Sequence, residues 1–115
     1  MDPNCLFCKI AAKQVPAKMV RESERVLAFE DINPAAPTHV LVIPREHLAS
    51  SLDIGPKQRE LAGELIEVAA AIARERGIAD DGYRLVFNTN RAAGQSVAHI
   101  HLHLLGGRTF RWPPG

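Results

Sequence analysis

The run His99-Ile100-His101-Leu102-His103-Leu104-Leu105 sets an imidazole at every second position. Successive side chains of a strand leave opposite faces. The three rings would therefore share one face, and Ala98, Ile100, Leu102 and Leu104 the other. The apolar face can anchor the strand to a core while the imidazoles line a cleft. On a helix, His101 would swing nearly opposite its neighbours and the pattern would lose its purpose. Neutral imidazole offers an unprotonated nitrogen near neutral pH, and this can attack phosphorus to form a covalent intermediate. A second, protonated ring can stabilise the charge. A single metal ion does not account for all three. The Cα atoms of His99 and His103 lie about 13 Å apart on an extended strand, whereas ligand nitrogens converge to about 2.0–2.1 Å from one ion. The three histidines are expected to hold different roles.

Two further groups of residues could do chemistry. Ala93-Gly94-Gln95-Ser96 lies just upstream, where a glycine lets the backbone turn and present N–H groups to phosphate oxygens. Ser96 adds a hydroxyl, and Asn88 could supply another donor. There is no Walker loop, no dinucleotide fingerprint and no tight acidic cluster for Mg²⁺. Phosphate chemistry would rest on imidazoles and backbone amides. Cys5-x-x-Cys8 supplies half of a tetrahedral zinc site. The pair is equally compatible with two buried free cysteines. A thioredoxin-like redox role lacks its surrounding βαβ pattern.

The elements that must position these residues follow from the pattern. Cys5 to Ala12 reads as a short helix, ended by Val15-Pro16 because the residue before proline is pushed from helical geometry. Met19 to Glu22 and Val26 to Glu30 read as a hairpin, and Asp31 to Pro37 as a loop. Val40 to Ile43, apolar and mostly β-branched, reads as a strand buried on both faces and closed by Pro44. Pro56 opens a helix of about 21 residues, roughly 30 Å long. Leu61, Leu65, Ile66, Ala69, Ile72 and Ala73 form its apolar stripe, and Gly77 its cap. Tyr83 to Asn88 and Val97 to Leu105 are the last strands. Strands do not alternate with helices, so the fold class is α+β: an antiparallel five-stranded sheet with one long helix and a short N-terminal helix.

Length and charge narrow the function. The chain has 115 residues, which suits one domain over 1–115. Lys plus Arg is 14 against 13 for Asp plus Glu. That near balance argues against a nucleic-acid surface. No run reaches the roughly 18 apolar residues of a membrane span. Met1 to Ile10 shows neither a basic n-region nor an apolar run of signal-peptide length, so secretion is not expected. A cytoplasmic location is expected, with neither nucleic acid nor membrane as partner.

Gly94-Gln95-Ser96-Val97-Ala98-His99-Ile100-His101-Leu102-His103, with the exit Leu105-Gly106-Gly107-Arg108, resembles the histidine triad family and its H-x-H-x-H-x-x signature. Trp112-Pro113-Pro114-Gly115 resembles the Hint branch, the nucleoside phosphoramidases. Ala28 to Ile32, Ala36 to His39 and Val42 to His47 fit as well, so the resemblance runs from about Cys5 to Gly115. It implies a homodimer with a joint ten-stranded sheet that binds a purine nucleoside monophosphate and its phosphoramidates. It implies cleavage at the α-phosphorus through a nucleotidyl group on His101, with His103, His39 and Ser96 completing the catalytic set. Asn88, Gly94, Gln95 and Ser96 match the phosphate side, Asp31 the ribose contact, and Ile32, Phe7, Leu6 and Phe29 the base pocket. Cys5, Cys8, His47 and His99 match the ligands of a structural Zn²⁺, with no cofactor required for catalysis. His103 argues against the galactose-1-phosphate uridylyltransferase branch, which carries Gln there. The remaining alternatives are a dinucleoside polyphosphate hydrolase and a non-catalytic nucleotide- or zinc-binding interaction protein.

Overall fold

The computed structural model describes residues 2–115. Its sheet is built on β3 (Thr38–Pro44), all seven residues of which are buried. A strand covered on both faces needs apolar side chains on both, and alternate β3 residues do enter two different cores. β2 (Val26–Glu30) pairs antiparallel with one edge of β3, and β1 (Met19–Glu22) pairs with β2. β5 (Leu102–Gly106) pairs antiparallel with the other edge, and β4 (Tyr83–Phe87) lies outside it. The order is β1-β2-β3-β5-β4. This is the expected α+β sheet. Pro44 belongs to β3 and does not merely follow it.

One face carries Val26, Ala28, Val40, Val42, Leu102 and Leu104. The long helix α2 (Arg59–Glu75) packs there through Leu61, Leu65, Val68, Ala69, Ile72 and Ala73. It has 17 residues, so it is about 25 Å long, shorter than expected. Pro56 to Gln58 form a 3₁₀ turn before it, with the Gln58 Oε1 accepting the Gly55 N–H at 3.0 Å. Ile66 is half exposed and Val68 takes the core position assigned to it. The stripe continues by threes and fours from Leu65 to Val68, Ala69 and Ile72, leaving Ile66 at its flank. The helix ends as expected at Gly77, φ +71°. Gly77 N–H bonds Arg74 O and Ile78 N–H bonds Ala73 O, the Schellman pair. Arg25–Glu64 (2.8 Å), Arg21–Glu75 and Arg76–Glu30 pairs tie the helix to the hairpin.

The opposite face carries Leu27, Phe29, Leu41 and Ile43. A single short helix, α1 (Leu6–Ala11), covers part of it through Phe7, Cys8 and Ile10. The Cys5 Sγ caps that helix by accepting the Cys8 N–H at 3.3 Å. The rest of this face is left for the histidines.

The histidine run differs from its expected form at one end. The β5 ladder begins at Leu102, opposite Val42 on β3 and Phe87 on β4. Residues 97–101 are outside it, and Ala98 is exposed instead of facing the core. From Ile100 onward the alternation holds: Ile100, Leu102 and Leu104 enter the helix-side core.

Gly107 closes this strand with φ +88°, and a Cβ there would sit 2.8 Å from the Pro37 Cβ. Gly107→Ala should therefore lose about 2 kcal/mol, combining left-handed strain with the ring contact. Gly77→Ala has open space around its Cβ and should lose only the backbone share, about 1 kcal/mol. Urea midpoints of both variants check the difference.

Candidate active site and metal centre

His39 on β3 and His103 on β5 lie diagonally across the ladder, since His39 pairs with Leu105 and Leu41 with His103. Their rings meet, with His39 Nε2 2.8 Å from His103 Nδ1. Protons on this pair follow from one backbone contact. The Ala35 N–H donates to His39 Nδ1 at 3.0 Å, so the proton of neutral His39 sits on Nε2. It is donated to His103 Nδ1, which leaves the proton of His103 on Nε2. That Nε2 is buried and has no hydrogen-bond partner among the described residues. An unsatisfied buried donor is costly, and it is a prepared place for an anionic oxygen.

His101 is fixed in the opposite sense. Its Nδ1 lies 2.8 Å from the carbonyl oxygen of His99. A carbonyl can only accept, so Nδ1 carries the proton and Nε2 keeps its lone pair. His101 and His103 ring centroids are 5.0 Å apart. A free lone pair and a free N–H thus stand on adjacent rings of one strand end.

His99 turns away from both, toward the N-terminal helix. Its Nε2 is 2.8 Å from Pro44 O, which leaves the Nδ1 lone pair free. That Nδ1 lies 3.3 Å from Cys5 Sγ, 3.6 Å from Cys8 Sγ and 3.2 Å from His47 Nδ1. Cys8 Sγ is 3.3 Å from His47 Nδ1. A tetrahedron with Zn–S of about 2.3 Å and Zn–N of about 2.0–2.1 Å has edges of roughly 3.3–3.8 Å. The two sulfurs and two nitrogens therefore fit a closed tetrahedral site. Asp2 Oδ2, 3.9 Å from His47 Nε2, stands behind the second imidazole, the usual place of a carboxylate that orients a ligating histidine. Asp2 went unnoticed in the sequence, where nothing links it to His47.

Asp31, His39 and His103 also converge closely enough to hold an ion. Their protons argue otherwise: with Nδ1 of His39 accepting from Ala35, the Nε2 that would face an ion carries hydrogen. Asp31 instead accepts the Asn33 N–H at 2.8 Å through Oδ1 and sets Oδ2 3.4 Å from His39 Nε2.

Beside this cluster lies a cavity of about 310 Å³, lined by Phe7, Phe29, Leu6, Asp31, Ile32 and Ser96, among others. Its volume and mainly apolar lining suit a small ligand. Phe7 and Phe29 are buried and pack edge to face, centroids 5.5 Å apart. Ile32 lines the rim and is 91% exposed, and Leu6 is half exposed. Val15, Ala17, Leu41 and Val97 also line it and were not singled out from the sequence. Leu41 was recoverable: it alternates with His39 along β3 and is the register partner of Phe29.

The glycine loop departs from expectation. Gly94 does turn through φ +79°. However, its N–H bonds Arg91 O and the Gln95 N–H bonds Asn90 O. The Gln95 side chain accepts the Asn90 N–H and donates to Ala49 O and Val97 O. Gly94 and Gln95 brace the loop with the groups expected to face phosphate. Ser96 remains exposed at the cavity wall. Asn88 follows the last residue of β4 and is partly buried.

An antiparallel α+β sheet with a cluster of strand-end histidines held in two tautomers, a Cys₂His₂ group and an apolar cavity defines a small protein with a candidate active site beside a candidate metal centre. The comparisons name the class. The HIT domain model matches residues 12–110, and the chain belongs to that histidine triad family. It is 47% identical over 108 residues to the purine nucleoside phosphoramidase of Escherichia coli K12, covering 94% of this chain and 91% of that protein. It is 47% identical over 116 residues to a 14 kDa zinc-binding protein of Zea mays, covering 99% and 90%. The crystal structure of a HIT family hydrolase from Legionella pneumophila superposes with a TM-score of 0.96 at 52% identity, covering 97% of this chain and 100% of that one.

Burial dominates the site's titration. It pushes His103 down to about 4, helped by His101 and His39 and opposed by Asp31. Burial likewise lowers His39 and His99. The unfolded chain protonates His103 near the ordinary 6.5 while the fold refuses the proton until about 4. This contribution to stability is therefore complete above the ordinary value and is lost as pH falls through that window. Urea midpoints should fall between about pH 7 and pH 5, and His103→Asn should flatten that slope.

Proposed function

We propose that this protein is a purine nucleoside 5′-phosphoramidate hydrolase, an adenosine 5′-monophosphoramidase in the broad sense. The observation that carries the reading is the His99 carbonyl on His101 Nδ1, which leaves Nε2 as a nucleophile. The E. coli relative supports the substrate class by its name.

In this reading the base occupies the cavity between Phe7, Phe29, Leu6 and Ile32, and Asp31 accepts from the ribose hydroxyls. The α-phosphate lies against His101, with the His103 Nε2–H donating to a non-bridging oxygen. His101 Nε2 attacks phosphorus, and the phosphorus–nitrogen bond breaks. The amine leaves after taking a proton, for which Ser96 at the cavity wall is the donor. Water then attacks phosphorus and returns its proton to Ser96, the bond to His101 breaks, and nucleoside monophosphate is released. His39 holds His103 in its tautomer throughout. Asn88 supports the phosphate side, and Gly94 and Gln95 act by shaping the loop. No step needs a metal or another cofactor.

Cys5, Cys8, His47 and His99 would hold Zn²⁺, in line with the name of the maize relative. Four protein ligands leave no open position, so the ion would stabilise structure and supply no reaction chemistry. β4 is an open sheet edge, which suits pairing with a second copy into a ten-stranded dimer sheet. The reading places residues 1–115 in one domain working in the cytoplasm. No helix among the described residues is long and apolar enough to cross a membrane.

His101→Ala should still fold and bind AMP but lose roughly a thousandfold or more in adenosine phosphoramidate turnover. Undiminished hydrolysis would overturn the assignment. An AMP adduct seen by intact mass during wild-type turnover opposes a purely binding role, and a preference for dinucleoside polyphosphate would move the substrate class. Elemental analysis should find one zinc per chain and none in Cys5→Ser; a folded, zinc-free wild type counts against the metal.

A further inference from the structure

The segment that carries the proposed nucleophile lacks the support of the sheet. The ladder starts at Leu102, and residues 97–101 lie beyond it. The Pro44 carbonyl on His99 Nε2 and the Gln95 amide on Val97 O hold part of this stretch, and three further attachments lead to the Cys₂His₂ group. The first is His99 itself, whose ring faces the two sulfurs while its carbonyl accepts the His101 Nδ1–H at 2.8 Å. The second is the Ile100 N–H, which donates at 2.7 Å to Leu48 O, the residue after His47. The third is Phe7, which stands between Cys5 and Cys8 in the chain. Its ring meets His101 edge-on at 5.1 Å and 85°, and His99 at 5.9 Å and 77°.

The two cysteines, His47 and His99 come from three chain segments: the start of the six-residue α1, the loop after β3 and the stretch before β5. Bonds of about 2.0–2.3 Å to one ion would lock these segments together far more rigidly than contacts between thiols and imidazoles. We propose that the metal centre is the device that orients the His101 ring, with the His99 carbonyl and the Phe7 ring as its two positioning contacts. The ion remains remote from the chemistry. It acts by holding the Nδ1–H acceptor in place and by fixing the ring plane through Phe7. Metal occupancy then tunes turnover first and, because Phe7 also walls the cavity, nucleotide affinity only to a smaller degree. The kinetic half of this inference rests on His101 being the nucleophile; the spectroscopic half does not.

The test uses full-length protein with ¹⁵N-labelled histidine, either loaded with Zn²⁺ or stripped by a chelator. The His101 signal is assigned by its loss in His101→Ala. The zinc protein should show one sharp protonated Nδ1 resonance for His101. Stripping should broaden or remove it, and Zn²⁺ should restore it. In parallel, kcat for adenosine phosphoramidate should fall about tenfold in stripped protein while KM moves less than about twofold. An unchanged resonance with unchanged kcat in folded, stripped protein overturns the proposal. If stripping unfolds the chain, Phe7→Leu with full zinc content carries the test. It should broaden the ligand-free His101 resonance, and a wild-type signal there refutes the positioning role. A metal-dependent resonance in protein that hydrolyses no phosphoramidate supports the coupling and defeats the phosphoramidase reading instead.

Discussion

His39, His99 and His101, the three most buried imidazoles, each commit one nitrogen to a backbone group. Ala35 N–H takes Nδ1 of His39, His99 O takes Nδ1 of His101, and Pro44 O takes Nε2 of His99. Backbone amides and carbonyls cannot change roles as side chains can. Each contact therefore decides which nitrogen bears the proton and which atom is left free. Desolvation keeps His39, His99 and His103 from gaining a second proton near neutrality, so these choices persist. The whole site depends on this arrangement. These contacts leave the His103 Nε2–H without a partner, turn His99 Nδ1 toward the two sulfurs, and leave His101 Nε2 outside the bond to His99 O.

The sheet makes such contacts possible by keeping its two faces unequal. α2 covers one face completely with aliphatic side chains. α1 covers only part of the other, where Phe7, Cys8 and Ile10 meet Phe29, Leu41 and Ile43. The uncovered remainder carries the cavity, walled by Phe7 and Phe29 among others, and Asp31 reaches from its lining to His39. β3 serves both faces: Val40 and Val42 pack under the long helix, while His39 reaches the site. A ligand cavity and a rigid core can then share one strand. The site gains precision because backbone groups at the end of β3 and in the flanking loops hold its rings.

The family relationship agrees with this division of labour. The Legionella hydrolase shares the fold over nearly the whole chain, and the E. coli and maize relatives carry phosphoramidase and zinc-binding names. Both chemistries meet in His99, which belongs to the histidine run by sequence and to the cysteine pair by contact. The loop around Gly94 has a different lesson. Gln95 looks like a ligand contact but spends its amide on Asn90, Ala49 and Val97. Loop bracing and ligand binding draw on the same polar groups, and only the folded partners tell them apart.

The period-two alternation from His99 to Leu105, the apolar stripe of the long helix and its Gly77 cap were all readable in the sequence. Each is a local pattern, fixed by the geometry of one element. That the three histidines take different partners was also predictable, because the strand rise keeps their Cα atoms apart. The tertiary structure alone decided which ring joins which partner. Nothing local connects His99 to Cys5 across 94 residues, His39 to His103, or Asp2 to His47. The same holds for where β5 begins: Leu102 is the first residue whose neighbours on both sides are strands. Ladder length and tautomer are properties of partners, and partners are set by the packing of distant segments, so a single strand's sequence does not contain them.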